Sequence, residues 1–347
     1  MLKQMTKDKK LFLGIGAVLF VVALLIPMFV KTPYILQICI MTFYIGSASM
    51  AWNVLGGMTG QTSLGHACFM AIGAYTATLL LVNLNVSPWL GALASMFVTG
   101  IIATLLFTPC FGLRGPYFSL ATLAFAEAIR NIFINWKFVR GAQGITLPFG
   151  EDSFVMMRFF SKVPYYYIAF AMLIIISLIV FAIDRSRLGY ALKTVREDED
   201  TANAIGINPQ KYKAIAVFIS AALTGLTGCF YSQYLRYIDP DIMLQTYSIE
   251  FVLPAVIGGV AFVGGPLLGA VLLIPLSELL RANLSSILPG INIIVYAVVL
   301  IAIIMVQPKG LLGWYQNRQI EKKRREAIEK MRNDKEAAKQ KAGGETV

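Results

Sequence analysis

Long apolar segments recur along the whole chain, and their length indicates the fold class. Hydrophobic positions run continuously over about 20 residues at a time instead of alternating with polar ones, which is typical of membrane-spanning helices and not of barrel strands. The pattern predicts an all-α, polytopic membrane protein with about ten transmembrane helices. The predicted spans cover residues 11–30, 34–56, 64–84, 89–110, 116–136, 164–183, 214–234, 248–263, 264–282 and 290–306.

Two regions of this pattern leave alternatives open. The polar stretch 59–63 opens the third predicted span, and Gly264-Gly265-Pro266 separates two short ones. Broken or re-entrant helices occur in membrane proteins where backbone lines a cavity or is buried in protein. Full crossing and re-entry therefore remain alternatives for residues 59–84 and 248–282.

Composition supports the membrane class and excludes others. Apolar residues make up 57% of the 347 residues and charged residues only 14%, against about 25% in soluble domains. Intrinsic disorder, a nucleic-acid-binding domain and a disulfide scaffold are excluded on this ground. The cysteines lie in apolar stretches without CxxC spacing and are predicted to be free thiols; they are Cys39, Cys68, Cys110 and Cys229.

The distribution of basic residues predicts the orientation in the membrane. With the N-terminus inside, cytoplasmic segments hold 22 Lys and Arg and external segments hold 7, as the positive-inside rule requires. Residues 1–10, the loop 185–213 and the basic tail 307–347 are predicted to be cytoplasmic. The membrane domain covers 11–306, and its first run is too long for a cleaved signal segment, so we expect a retained anchor.

Several kinds of chemistry are absent from the sequence. His66 is the single histidine, so multi-histidine metal sites are excluded, and the chain has no Gly-Lys dipeptide and hence no P-loop. No aspartate lies in the interior of a predicted span. We predict a transport subunit and not an enzyme, with no cofactor or metal of its own.

Ionisable and polar groups inside the spans are candidates for the translocation path, because such groups are costly in a membrane. Glu127 and Arg130 lie three residues apart in one predicted span, and Glu278 and Arg281 repeat that spacing. Each set has two interpretations, bundle packing or lining of a polar path. The candidates are Gln61, Ser63, His66, Glu127, Arg130 and Glu278.

The loop 185–213 carries start and stop signals for a short helix. Acidic residues at 197–200 suit a helix N-terminus, and Gly206 followed by Asn208-Pro209 ends the segment. We predict a compact helix on the cytoplasmic face that serves as a docking element. The predicted contact residues are Arg196, Glu197, Asp198, Glu199, Ala202, Ala204, Gly206 and Ile207.

A series of short sequence blocks follows one another in order along the chain. They are WNVLGG (52–57), GQTSLGHA (60–67), GAY (73–75), LRGPYF (113–118), TLAFAE (122–127), GAQGI (141–145), LGYALK (188–193), RED (196–198), AIGIN (204–208), GG (258–259) and QPKGL (307–311). In their joint order these blocks resemble the LivM-type permease subunits of branched-chain amino acid ABC importers. The resemblance extends from about residue 35 to 314.

This resemblance implies one half of a pore in the inner membrane. The implied partners are a second homologous permease, two cytoplasmic ATPases that bind the ATP, and an extracytoplasmic binding protein that selects the substrate. It also implies that 185–213 contacts an ATPase. Related permeases carry urea, short amides or sugars, so these substrates remain alternatives to branched-chain amino acids, and an ion-coupled secondary transporter or a structural scaffold is the rival from another class.

Overall fold

The computed structural model describes residues 21–313 apart from 22, 31, 261, 285–290 and 307–309. The all-α prediction is confirmed for these residues, in which the only strands are a two-residue antiparallel pair, β1 (Ile145–Thr146) and β2 (Tyr237–Ile238). The helices are α1 (Pro33–Thr59), α2 (His66–Leu84), α3 (Pro88–Phe107), α4 (Pro116–Asn135), α5 (Lys162–Arg185), α6 (Arg187–Glu197), α7 (Glu199–Ala204), α8 (Pro209–Leu235), α9 (Gln245–Gly258), α10 (Gly265–Leu284) and α11 (Ile291–Val306).

Seven helices in the described part of the chain are long and apolar enough to cross a membrane, namely α1 to α5, α8 and α10. Helix α9 has 14 residues and rises about 21 Å, which is less than a bilayer core of roughly 30 Å. Helix α11 has 16 residues. The predicted span 11–30, the N-terminus 1–10 and the tail 307–347 lie mostly or wholly outside the described residues, so the count of ten stays approximate.

Proline marks the start of four long helices. Its fixed φ suits the first helical turn, and its missing N–H would have no partner there. The residues are Pro33, Pro88, Pro116 and Pro209.

Helix α8 is central to the bundle and packs against α1, α2 and α3. Glycines bring its backbone against α2: a Cβ on Gly228 would lie 1.9 Å from the carbonyl oxygen of Met70, and one on Gly73 would lie 2.3 Å from that of Gly225. Small residues are the usual means of close helix packing in membranes. The contact leaves no space between the two helices, so they are expected to move together.

The connection between α1 and α2 folds back into the bundle. Helix α1 ends at Thr59, and residues 60–65 follow an irregular path to His66, along which Gln61, Ser63 and Gly65 are buried. The His66 ring contacts Ser220, which lies about 16 Å along α8 from its first residue. Helix α2 therefore begins well inside the bundle, and of the alternatives left open for 59–84 the structure shows a re-entrant start followed by a helix of spanning length.

Hydroxyl groups satisfy the backbone of this re-entrant segment. The amide of Leu64 donates to Thr122 Oγ1 at 3.1 Å, and that of Ala67 donates to Ser248 Oγ at 2.9 Å. The amide of Gly65 donates to Ser63 Oγ at 3.2 Å. Irregular backbone is tolerated at membrane depth only where neighbouring protein supplies such partners.

Candidate functional site

The loop 185–213 forms two helices, where the sequence predicts one. Helix α6 is capped by Ser186, whose hydroxyl accepts from the amide of Gly189 at 3.3 Å. Arg196 and Glu197 belong to the end of α6, and Asp198 separates it from α7 as an extended residue. The predicted short helix, with acidic residues at its N-terminus and Gly206 after its end, corresponds to α7, for which Asp198 is the cap, whereas α6 was not predicted.

Both ends of α7 are closed by local hydrogen bonds. The Asp198 carboxylate accepts from the amide of Thr201 at 2.6 Å, and these bonds with Thr201 lower the pKa of Asp198. At the other end Gly206 has φ +85°, and the amide of Ile207 donates to the carbonyl of Ala202 at 2.9 Å. This arrangement is a Schellman-type C-cap, for which the glycine conformation is needed.

Three of the predicted contact residues face their own chain. Arg196 Nη1 donates to the carbonyl of Gly57 at 2.8 Å, and Ala202 is fully buried. Glu199 is also turned inward, with its side chain 18% exposed. These residues attach α6 and α7 to the membrane bundle, so Ala202 offers no surface to a partner protein.

Glu199 is the centre of a polar cluster that we call the Glu199 junction, formed with Lys213, Gln61 and Arg114. Lys213 Nζ lies 2.7 Å from Glu199 Oε1 and donates to the carbonyl of Phe111 at 2.9 Å. Gln61 Nε2 donates to Glu199 Oε1 at 3.2 Å, and Arg114 Nε lies 3.8 Å from Glu199 Oε2. The junction joins α7 to the start of α8, to the re-entrant segment and to the α3–α4 connection.

Sequence reasoning missed most members of this junction. Lys213 was counted only as a basic residue of the cytoplasmic loop, although it is fully buried, and Arg114 only as a topology marker. Arg114 also makes a bidentate contact to Asp200, at 2.9 and 3.3 Å. The available signal was the acidic run at 197–200, which lacks enough basic neighbours in its own helix to balance it.

The opposite side of α6 and α7 is exposed. Tyr190 on α6 and Ile205 after α7 are 66% and 64% exposed, and Ala204 is exposed beside Ile205. Large apolar side chains on an exposed surface suit contact with another protein. Ile205 was not among the predicted contact residues.

The structure places His66 and Ser63 inside the bundle, where both are fully buried. His66 Nδ1 is 3.2 Å from Ser63 Oγ, and His66 Nε2 is 2.8 Å from Ser220 Oγ. The backbone carbonyl of Ser63 accepts from Trp52 Nε1 at 2.8 Å. These contacts use the polar atoms of the ring, which supports packing and not a substrate-binding role for His66.

The Glu127–Arg130 pair has a third member that the sequence did not reveal. Arg130 Nη1 lies 2.9 Å from Glu127 Oε1, and Arg130 Nη2 lies 2.6 Å from Asp241 Oδ1. Asp241 belongs to the short turn Pro240–Met243, which packs on α4. The arginine therefore links α4 to the segment between α8 and α9.

The second predicted pair borders a cavity of about 380 Å³. Arg281 Nη2 lies 3.0 Å from Glu278 Oε2. Helices α1, α8, α9 and α10 form the walls, and the lining includes Leu235, the last residue of α8. The lining also includes Gln37, near the first residue of α1. Because the other ends of α1 and α8 adjoin α6 and α7, this cavity lies at the opposite end of the bundle, and we call it the outer cavity after the predicted orientation.

The chain matches a family model described as "Branched-chain amino acid transport system / permease component" over residues 34–306. It is 30% identical over 301 residues to the high-affinity branched-chain amino acid permease protein LivM of Salmonella typhimurium, with 80% of this chain and 69% of the relative covered. It is 24% identical to the permease protein LivH of the same organism, with 76% of this chain and 90% of the relative covered. The nucleoside ABC transporter permease NupC of Lactococcus lactis is 22% identical over 57% of this chain and 68% of the relative.

No solved structure matches the chain. The match to the family model covers most of the sequence, and its limits agree with the helical bundle from α1 to α11. The chain therefore belongs to the branched-chain amino acid permease family. It is a multi-pass inner-membrane permease component of an ABC transport system, which implies partner permease and ATPase subunits.

Proposed function

We propose that this chain forms half of the translocation pore of an importer that moves leucine, isoleucine and valine into the cell. The other half is a second homologous permease, two cytoplasmic ATPases supply the energy, and an extracytoplasmic binding protein delivers the substrate. Both termini and the α6–α7 segment face the cytoplasm. The names of the relatives LivM and LivH support the choice of substrate.

The observation that carries the coupling role is the double attachment of the α6–α7 segment to the re-entrant segment. Arg196 bonds the carbonyl of Gly57 just before this segment, and Glu199 bonds Gln61 within it. A displacement of α6–α7 by an ATPase thus acts directly on the backbone that leads to His66 and α2. Switching by rigid-body movement needs such direct contacts between the moving parts.

The exposed stripe of α4 supports the pairing with a second permease. Glu127 is 49% exposed in its side chain, and Ala128, Asn131 and Asn135 lie on the same exposed face. A carboxylate and two amides on an outward face of a spanning helix are poorly solvated by lipid. We propose that this face contacts the second permease and borders the path between the two subunits.

The coupling role is tested by substitution at Ala204, which is exposed and ends α7. Ala204→Arg places a bulky charge on the proposed ATPase contact without altering any span, and Ala204→Ser is the size-matched control. For Ala204→Arg we expect normal membrane insertion, loss of ATPase co-purification and loss of ATP-driven leucine uptake in proteoliposomes. Wild-type co-purification and uptake in Ala204→Arg would contradict the proposal.

A second experiment separates an ATP-driven importer from an ion-coupled transporter. The isolated chain in proteoliposomes is expected not to accumulate leucine under a proton or sodium gradient, because in the proposed importer the energy comes from the separate ATPases. The complete importer with ATP serves as the positive control. Gradient-driven accumulation by the isolated chain would favour the secondary-transporter interpretation.

A further inference from the structure

We propose that the outer cavity binds a free amino acid as a zwitterion, with the ammonium group at Glu250 and the carboxylate at Arg281. This inference rests on the proposed function and assigns a substrate subsite to this chain. The cavity has the position that such a subsite needs, at the end of the bundle opposite α6 and α7. Substrate delivered from outside would reach it before the cytoplasmic half of the bundle.

Glu250 is the acidic group of the cavity that is left available. It lies on α9 and has no cationic partner within 4 Å among the described residues, whereas Glu278 is paired with Arg281. Glu278 lines the same cavity, so two carboxylates and one guanidinium share it. An ammonium group bound at Glu250 would supply a second cation to this cavity and a partner for a carboxylate on a membrane helix.

Arg281 supplies the complementary charge. Its side chain is 64% exposed, and among the described residues only one of its terminal nitrogens is paired, with Glu278. A guanidinium has five N–H donors and binds carboxylates in a planar, bidentate manner. Arg281 can therefore receive a substrate carboxylate while it keeps its contact with Glu278.

The rest of the cavity suits an aliphatic side chain. Its apolar lining includes Met41, Ile45, Leu253 and Ile274, and the hydroxyls of Tyr231 and Tyr247 lie 3.5 Å apart at its wall. A volume of about 380 Å³ is within the range of small-molecule sites. An acid without a cationic partner among the described residues, an arginine and an apolar wall are together the features that a branched-chain amino acid would match.

The test measures ligand binding by the detergent-solubilised importer complex without its binding protein, so that the permease itself selects. The probes are leucine, leucinamide, which lacks the carboxylate, and 4-methylpentanoate, which lacks the ammonium group. The wild-type complex is expected to bind leucine more tightly than either analogue. Equal affinity of the wild-type complex for leucine and both analogues, or no leucine binding at all, would overturn the inference.

Two variants assign the charges to residues. Glu250→Gln is expected to weaken the binding of leucine and leucinamide roughly tenfold or more and to leave the affinity for 4-methylpentanoate unchanged. Arg281→Gln should weaken the binding of leucine and 4-methylpentanoate but not that of leucinamide. Glu151→Gln, an exposed acid outside the cavity, is the matched control. Equal effects of each variant on all three probes would indicate a structural role and overturn the assignment.

Leucine uptake by the complete wild-type importer distinguishes this inference from the proposed function. ATP-driven uptake in the wild type, with unchanged KM and maximal rate in Glu250→Gln, would overturn the subsite and leave the importer role standing. Absence of leucine uptake in the wild type would instead contradict the proposed substrate.

Discussion

Lys213 and Glu199 form an ion pair at 2.7 Å in which the lysine side chain is almost wholly buried, at 1% exposure. The pair connects helix α7 to the first turns of α8. A buried ion pair adds little net stability compared with apolar residues, but the loss of one member leaves an unpaired charge. This asymmetry makes the pair a direct test of how firmly α7 is attached.

Lys213→Met is expected to lower the free energy of unfolding by about 3 kcal/mol or more, because Glu199 loses its main partner. Adding Glu199→Gln should recover part of this loss. The matched control is Lys193→Met, whose pair with Asp184 is 42% and 24% exposed and worth below about 1 kcal/mol. Denaturant unfolding in detergent measures the two losses in free energy of unfolding, and the loss should be larger for Lys213→Met. Equal losses for Lys213→Met and Lys193→Met would contradict the prediction.

Arg130→Met removes the cation shared by Glu127 and Asp241 and is expected to cost about 1 kcal/mol. Removing Glu127 together with Arg130 should be milder than removing Arg130 alone, although Asp241 then still lacks its partner. The yield of monodisperse protein after heating in detergent measures the effect. Arg281→Met is the comparison. Its side chain is more exposed than that of Arg130, so we expect its loss to cost less stability. A larger loss in Arg281→Met than in Arg130→Met would contradict this expectation.

Acid pH should loosen the start of α7. The folded-state pKa of Asp198 lies below its ordinary value because of its hydrogen bonds with Thr201, so its stabilising effect is complete above the unfolded-state pKa of about 3.9. The effect is lost as the pH falls through the folded-state pKa, because the protonated group is a poorer acceptor.

Hydrogen exchange of the peptide containing Thr201, corrected for intrinsic rates, should therefore show less protection at pH 3 than at pH 6. Asp198→Asn retains a neutral cap and should remove most of this dependence. An unchanged pH profile in Asp198→Asn would show that another group is responsible.

Topology is tested by labelling single cysteines in a variant that lacks the four native ones. Thr201→Cys, on exposed α7, should not react with an impermeant reagent added to intact cells, but should react after permeabilisation. Phe149→Cys, at a residue that is 80% exposed in a loop predicted to be external, is the positive control. Labelling of Thr201→Cys in intact cells would reverse the predicted orientation.

Most of the helical bundle was predictable because a membrane span has a strong one-dimensional signal. Seven predicted spans match long apolar helices of the structure. The predicted span 248–263 extends beyond α9, which ends at Gly258. The next residue, Gly259, has φ +115°, a conformation that does not continue a helix. Hydropathy averages over about 20 residues and does not detect such a local backbone change.

The polar contacts were harder to predict because they join residues distant in sequence. The i,i+3 spacing identified Glu127–Arg130, but Asp241 lies 111 residues from Arg130. Gln61 and Glu199 are separated by 138 residues. A single sequence contains local periodicity but no information on such pairings, so the residues of the Glu199 junction were assigned to separate roles.

The length of helix α8 determines how far a movement at one of its ends displaces the other. Its 27 residues form an uninterrupted rod, with Lys213 near one end and Leu235, in the wall of the outer cavity, at the other. About 33 Å of helix separates these two residues. A tilt of about 5° around the Lys213 end would carry the Leu235 end by about 3 Å over that length. Under the proposed coupling role, an ATPase movement too small to open a pore directly would thus be amplified over the length of this helix into one comparable to the width of a methyl group.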